Sequence, residues 1–184
     1  PGSGREGRPD GYAGRWVLTF DDPARRVRFL QALRRLIERH DALRTSLRWE
    51  GLDAPVQVVQ RQATLAVREV VAADGGDALE ALLAASDPQH VAMDLRAAPL
   101  LAAWVADDAR HGRWLLALDH HDAVLDHVSE EVVLDELRAL LASQTPSLPR
   151  APQWRAWIAR VRHEGFAPHA PYFKALLGDV EEPT

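Results

Sequence analysis

The sequence predicts an α+β fold: a mixed, largely antiparallel sheet with helices packed on one face. Three observations point there. Arg15 to Phe20 alternates, with Trp16, Leu18 and Phe20 on one side, as a half-buried strand does. Val27, Leu30, Leu33, Leu36 and Ile37 then repeat at helical spacing behind Asp22-Pro23, an N-cap residue followed by a first-turn proline. Two apolar runs, Ala102 to Ala106 and Trp114 to Leu118, flank a turn at Asp107 to Gly112 and read as a hairpin.

The other elements follow in order. Pro1 to Gly11 is rich in glycine and proline and is expected to be a flexible N-terminal segment. On the first helix Arg25, Arg28, Arg34, Arg35 and Glu38 lie off the apolar stripe and face water. A strand through Leu47 and Trp49, a turn at Glu50-Gly51 and a return through Pro55 to Val59 come next. Thr64 to Val71 alternates weakly. Gly75-Gly76 breaks the chain before a helix over Ala78 to Ala85, with Leu79, Leu82 and Leu83 apolar. After the hairpin, Ser129 is the expected N-cap of a helix whose apolar face is Val132, Val133, Leu137, Leu140 and Leu141. Ser143 to Pro152 reads as a linker.

Composition bounds the function. A chain of 184 residues can bury roughly 70% of its unfolded surface. At 47% hydrophobic and 27% charged it is globular, and a formal charge of −5 argues against a nucleic-acid footprint, which needs a basic face. Zero cysteines exclude disulfides and thiolate metal sites and fit a cytoplasmic protein. No apolar run approaches a membrane span, and no signal-peptide pattern opens the chain. Neither a nucleic acid nor a membrane is therefore expected as a partner.

The richest stretch follows the hairpin. His120, His121, Asp122, Asp126 and His127 fall within eight residues, between the end of a strand and the start of a helix. Such residues are commonly solvated or cap a helix. A strand that ends in histidines and turns into a capped helix is also a way to present an acid or a base. As a metal site the group is weak, because it lacks HExxH or any similar helical spacing.

His121-Asp122-Ala-Val-Leu-Asp126-His127-Val-Ser129 resembles the His-His-x-x-x-Asp-Gly-x-Ser motif of the condensation domains of nonribosomal peptide synthetases, members of the chloramphenicol acetyltransferase-like superfamily. Arg39-His40-Asp41-Ala-Leu-Arg44-Thr45 is similar to the family's Arg-His-x-x-Leu-Arg-Thr. Met93-Asp94-Leu95 through Pro99-Leu100-Leu101 resembles its Phe-Asp-Leu-x-x-x-Pro-Leu-Leu. Trp154 to Ile158 and Pro171 to Gly178 resemble two of its aromatic helices, and their aromatic pairs read as core packing. The likeness is colinear from about Tyr12 to the C-terminus. It implies the N-terminal lobe of a two-lobed domain, residues 12–184, with the second lobe absent.

The resemblance implies an acyltransferase that forms an amide or ester bond between substrates tethered by phosphopantetheine. No cofactor is bound directly, the phosphopantetheine arm of a carrier protein being the tether. The implied partners are a peptidyl carrier protein, other synthetase domains or a tailoring enzyme. The resemblance also gives Arg39 a structural role, pairing with Asp126, with Arg44 as its competitor; a guanidinium fork against a carboxylate suits a rigid turn.

The motif departs from the family at two places. Aligned on Asp126 and Ser129, the second histidine falls on Asp122, and His127 takes the glycine position. Side chain 122, rather than 121, is then expected to face the acyl acceptor. A one-residue bulge would instead make His120-His121 the pair. Asp122 could serve as base if burial raised its pKa, and His127 could replace the base or plug the channel. The candidate catalytic residues are thus His121, Asp122, His120 and His127. The favoured expectation is a degenerate domain acting as a structural or docking platform. The alternative is an active condensation acyltransferase.

Overall fold

The computed structural model describes residues 12–87, 93–142, 147–165 and 167–178. Within them the chain forms β1 (Ala13–Phe20), α1 (Pro23–Arg39), β2 (Thr45–Arg48), β3 (Val56–Val59), β4 (Val67–Glu69), α2 (Ala78–Ala85), β5 (Leu101–Asp108), β6 (Arg113–His121), α3 (His127–Ala142), α4 (Trp154–Glu164) and α5 (Ala170–Leu177). The expected flexible segment, Pro1 to Gly11, lies outside the described residues. The chain divides after Arg150 into two compact units. That boundary falls in the expected linker, of which residues 143–146 are also outside the described set.

In the first unit the main sheet has the order β1-β6-β5-β4, and β2 pairs with β3 in a separate ribbon. β6 is central and antiparallel to both neighbours, from Ala13↔His121 to Phe20↔Trp114 on one side and from Leu101↔His120 to Asp108↔Arg113 on the other. β4 lies parallel to β5, and α2 supplies the crossover that a parallel pair requires. The sheet is mixed and largely antiparallel.

Helices cover both faces, where one had been expected. Leu116 and Leu118 pack with Phe29, Leu33 and Leu36 of α1 and with Val133 and Leu137 of α3. Leu115 and Ala117 point the other way and pack with Trp104, Ala106 and, from α2, Ala78 and Leu82. The reason is in the sequence: Trp114 to Leu118 is uninterrupted apolar, the pattern of a strand buried on both sides.

α1 starts as predicted, with the Asp22 carboxylate accepting the Ala24 amide. Its buried stripe is Phe29, Ala32, Leu33, Leu36 and Ile37, a full i, i+3, i+4, i+7, i+8 set. Val27, placed on the stripe from sequence, is exposed. α3 begins earlier than predicted. Its cap is Asp126, which accepts the Ser129 amide at 2.8 Å, so Ser129 is a helical residue. Val133 and Leu137 are buried, while Val132 and Leu141 are exposed.

The second unit contains α4 and α5, and neither buries a residue. Trp154 stacks on Trp157 at 5.1 Å, and Tyr172 meets Phe173 edge-on at 5.3 Å. The expected core packing of these aromatics is therefore not found: Trp157, Tyr172 and Phe173 are exposed. Two helices of 11 and 8 residues have too little surface to enclose a core of their own. No helix among the described residues is long and apolar enough to cross a membrane.

Candidate functional site

Strand alternation sends the adjacent histidines His120 and His121 to opposite faces of the sheet. His120 continues the row of Leu116 and Leu118 toward α3, and His121 continues the row of Leu115, Ala117 and Asp119. Both are buried, at 2% and 7% exposure. β6 pairs in unbroken register to His121, so the strand carries no bulge, and four residues, Asp122 to Leu125, form the turn to Asp126.

His120 Nε2 lies 2.5 Å from Glu130 Oε1 in the first turn of α3. Its ring packs against Trp16 at 5.5 Å between centroids. His121 Nδ1 accepts the Ala123 backbone N–H at 3.0 Å, and its ring lies 6.4 Å from that of Tyr12. With the Nδ1 lone pair so engaged, a neutral His121 ring carries its proton on Nε2. Asp122 is exposed, and its amide donates to Tyr12 O at 2.8 Å. The turn closes with Val124 and Leu125 amides on His121 O, at 3.0 and 3.3 Å.

Asp126 stands on the surface as the helix cap. Hydrogen bonds from Ser129, side chain and backbone, hold its carboxyl below the ordinary range. His127 is the first residue of α3, its side chain 87% exposed and 4.0 Å from Glu131. No non-glycine residue among those described has a positive φ, so a histidine in this place of a motif glycine carries no backbone strain there. The five ionisable groups thus diverge rather than converge. No three His, Asp or Glu side chains among the described residues are grouped to hold a metal ion.

The expected Arg39–Asp126 pair does not form. Arg39 Nε donates to Glu136 Oε2 at 2.9 Å, Nη2 reaches Glu136 Oε1 at 3.3 Å, and Nη2 also donates to Pro149 O. His40 Nε2 shares the same carboxylate at 2.7 Å. Arg44 is engaged elsewhere, with Asp41 at 2.7 Å and with Gln60 O. Asp126 is satisfied locally by its own helix, whereas Glu136 faces α1 from within α3. Sequence reasoning missed Glu136 because its partner lies 97 residues away and no local pattern marks it.

Burial pushes the Glu136 carboxyl up, but hydrogen bonds from Arg39 and His40 outweigh it and hold the group below its ordinary value. The sign follows. A carboxyl with a depressed folded-state pKa contributes stability above its unfolded value and loses it as pH falls through the folded one. Unfolding measured against pH is therefore expected to show stability falling below about pH 4.5. In Glu136→Gln part of that slope should be missing; an identical profile would remove the group from the account. Asp119 acts in the opposite sense. Burial raises its carboxyl, and Arg15, at 2.7 and 3.3 Å, only partly offsets this.

Comparison with known proteins places this geometry. The condensation-domain family model matches residues 5–182. Malpibaldin synthetase of Mortierella alpina is 37% identical over 169 residues, covering 91% of this chain and 3% of that protein. Two solved structures share the fold. The condensation domain of the Monacolin K polyketide synthase MokA has a TM-score of 0.69 at 20% identity, covering 94% of this chain and 40% of that one. The starter condensation domain of rhizomide synthetase has a TM-score of 0.67 at 18% identity, covering 94% and 43%. The chain thus spans less than half of either solved domain and a small part of the synthetase. With the family match running through all of the described residues, the motif turn included, the chain belongs to the condensation-domain family, which nonribosomal peptide synthetases carry.

Proposed function

We propose that this domain is a degenerate condensation domain of a nonribosomal peptide synthetase, retained as a structural or docking platform for a peptidyl carrier protein or a tailoring enzyme. The observation that carries the reading is the state of the strand end. A base must offer a lone pair at an open position. His120 is buried against Glu130, and His121 is buried with Nδ1 already engaged by the Ala123 amide. The residue on the open side is the carboxylate of Asp122. Exposure of Asp122 in this lobe fits a side chain directed at a tunnel shared with a second lobe.

A second reading rests on His121 itself. As the last residue of β6 it stands directly before the exposed turn residue Asp122, and on this reading the domain forms amide or ester bonds between phosphopantetheine-tethered substrates. Incubating the full-length protein with an acyl donor on one carrier protein and an acceptor on the next separates the two. The platform reading expects carrier-protein binding with no condensation product. Turnover that falls on His121→Ala would replace it with the second reading.

A further inference from the structure

We propose that the His120–Glu130 contact, seated on Gly14, is the clamp that positions the motif turn, and with it Asp122, at the end of β6. The motif arginine and aspartate do not do this here. Asp126 bonds within its own helix, and Arg39 grips α3 at Glu136, well past the turn. His120 and Glu130 instead join the last residues of the strand directly to the first turn of the helix. The turn from Asp122 to Asp126 spans the gap between these two anchors.

Three features mark the pair as built for this. His120 occupies a core row otherwise filled by Leu116 and Leu118 and is 2% exposed, so its ring is desolvated and its polar atoms need partners. Its Nδ1 is buried with no hydrogen-bond partner. A buried N–H there would cost more than an unpaired lone pair, so a neutral ring carries its proton on Nε2, the nitrogen beside Glu130. Opposite His120 across the ladder stands Gly14, and a Cβ built at Gly14 would overlap the imidazole. Glycine leaves the space that the ring fills. Glu130 lies in the first turn of α3, where a carboxylate also favours the helix N-terminus.

The clamp is tested in this chain without any assay of turnover, so its fate is separate from that of the platform reading. Imidazole 15N spectra are expected to show the neutral His120 ring with its proton on Nε2; a neutral ring carrying it on Nδ1 would overturn the proposal. Glu130→Ala should speed amide exchange of Asp122, Val124 and Leu125 about tenfold or more, a loss of about 1.4 kcal/mol in local protection. The Leu47 amide, bonded to Leu95 O in another region, should change far less. Glu130→Gln retains an acceptor for Nε2–H and should stay close to the native rates. Unchanged exchange in Glu130→Ala, equal acceleration at Leu47, or a glutamine variant as fast as the alanine one would each sink the idea. If Glu130→Ala does not fold, the tautomer and the glutamine variant decide it.

Discussion

Replacing Asp122 by histidine in the full-length protein is expected to raise amide or ester formation by about 10²–10⁴-fold, the usual contribution of a positioned general base. The site is prepared for it. Asp122 directly follows the end of β6, its amide is fixed on Tyr12 O, and its side chain is on the open side of the strand end. The buried residues beneath it need not move to accept an imidazole. The substitution also leaves the buried His120–Glu130 and His121–Ala123 contacts unaltered. Product formation is measured with carrier-bound donor and acceptor. If Asp122→His condenses no faster than the native sequence while binding carrier protein equally well, the lack of an imidazole at position 122 does not limit condensation.

Truncating Leu118 to alanine is expected to cost about 3–5 kcal/mol, the largest stability effect foreseen here. Leu118 is 1% exposed in the central strand, paired across the ladder with Trp16 and Ala103. It belongs to the core formed with α1 and α3. Both helices are anchored on that face by rigid rows, so little can collapse into the space left. The change should appear as a lower urea midpoint at an unchanged slope. A loss below about 1 kcal/mol would mean that this face is not packed as described. Because Leu118 precedes His120 in the same row, the variant also tests whether the motif depends on the core beneath it.

Several elements were legible from residue pattern alone. The Asp22-Pro23 start of α1, the helix over Ala78 to Ala85 and the hairpin of β5 and β6 all appear where local chemistry puts them. A cap, a proline and a period-2 run act within a few residues, and sequence neighbours report them well. The stripe of α1 was read from Val27, whereas the buried face starts at Phe29, because a helical period is satisfied by neighbouring choices until a partner surface selects one. The second covered face was present in the unbroken run Trp114 to Leu118, yet only α2 in place showed what covers it.

The motif residues tell the same story at closer range. That His120, His121, Asp122, Asp126 and His127 stand together at a strand end was legible in their spacing, while the family was suggested by the likeness of several motifs and shown by the family match. Which of them is buried, which is open and which arginine meets which carboxylate was decided by the packing of α1 and α3 against the sheet. Glu136 rather than Asp126 receives Arg39, and Glu130 receives His120, because ion pairs and buried hydrogen bonds depend on distances between chain segments far apart in sequence. Periodicity and capping are one-dimensional and are written in the chain; partner choice is three-dimensional and exists only once the helices have docked.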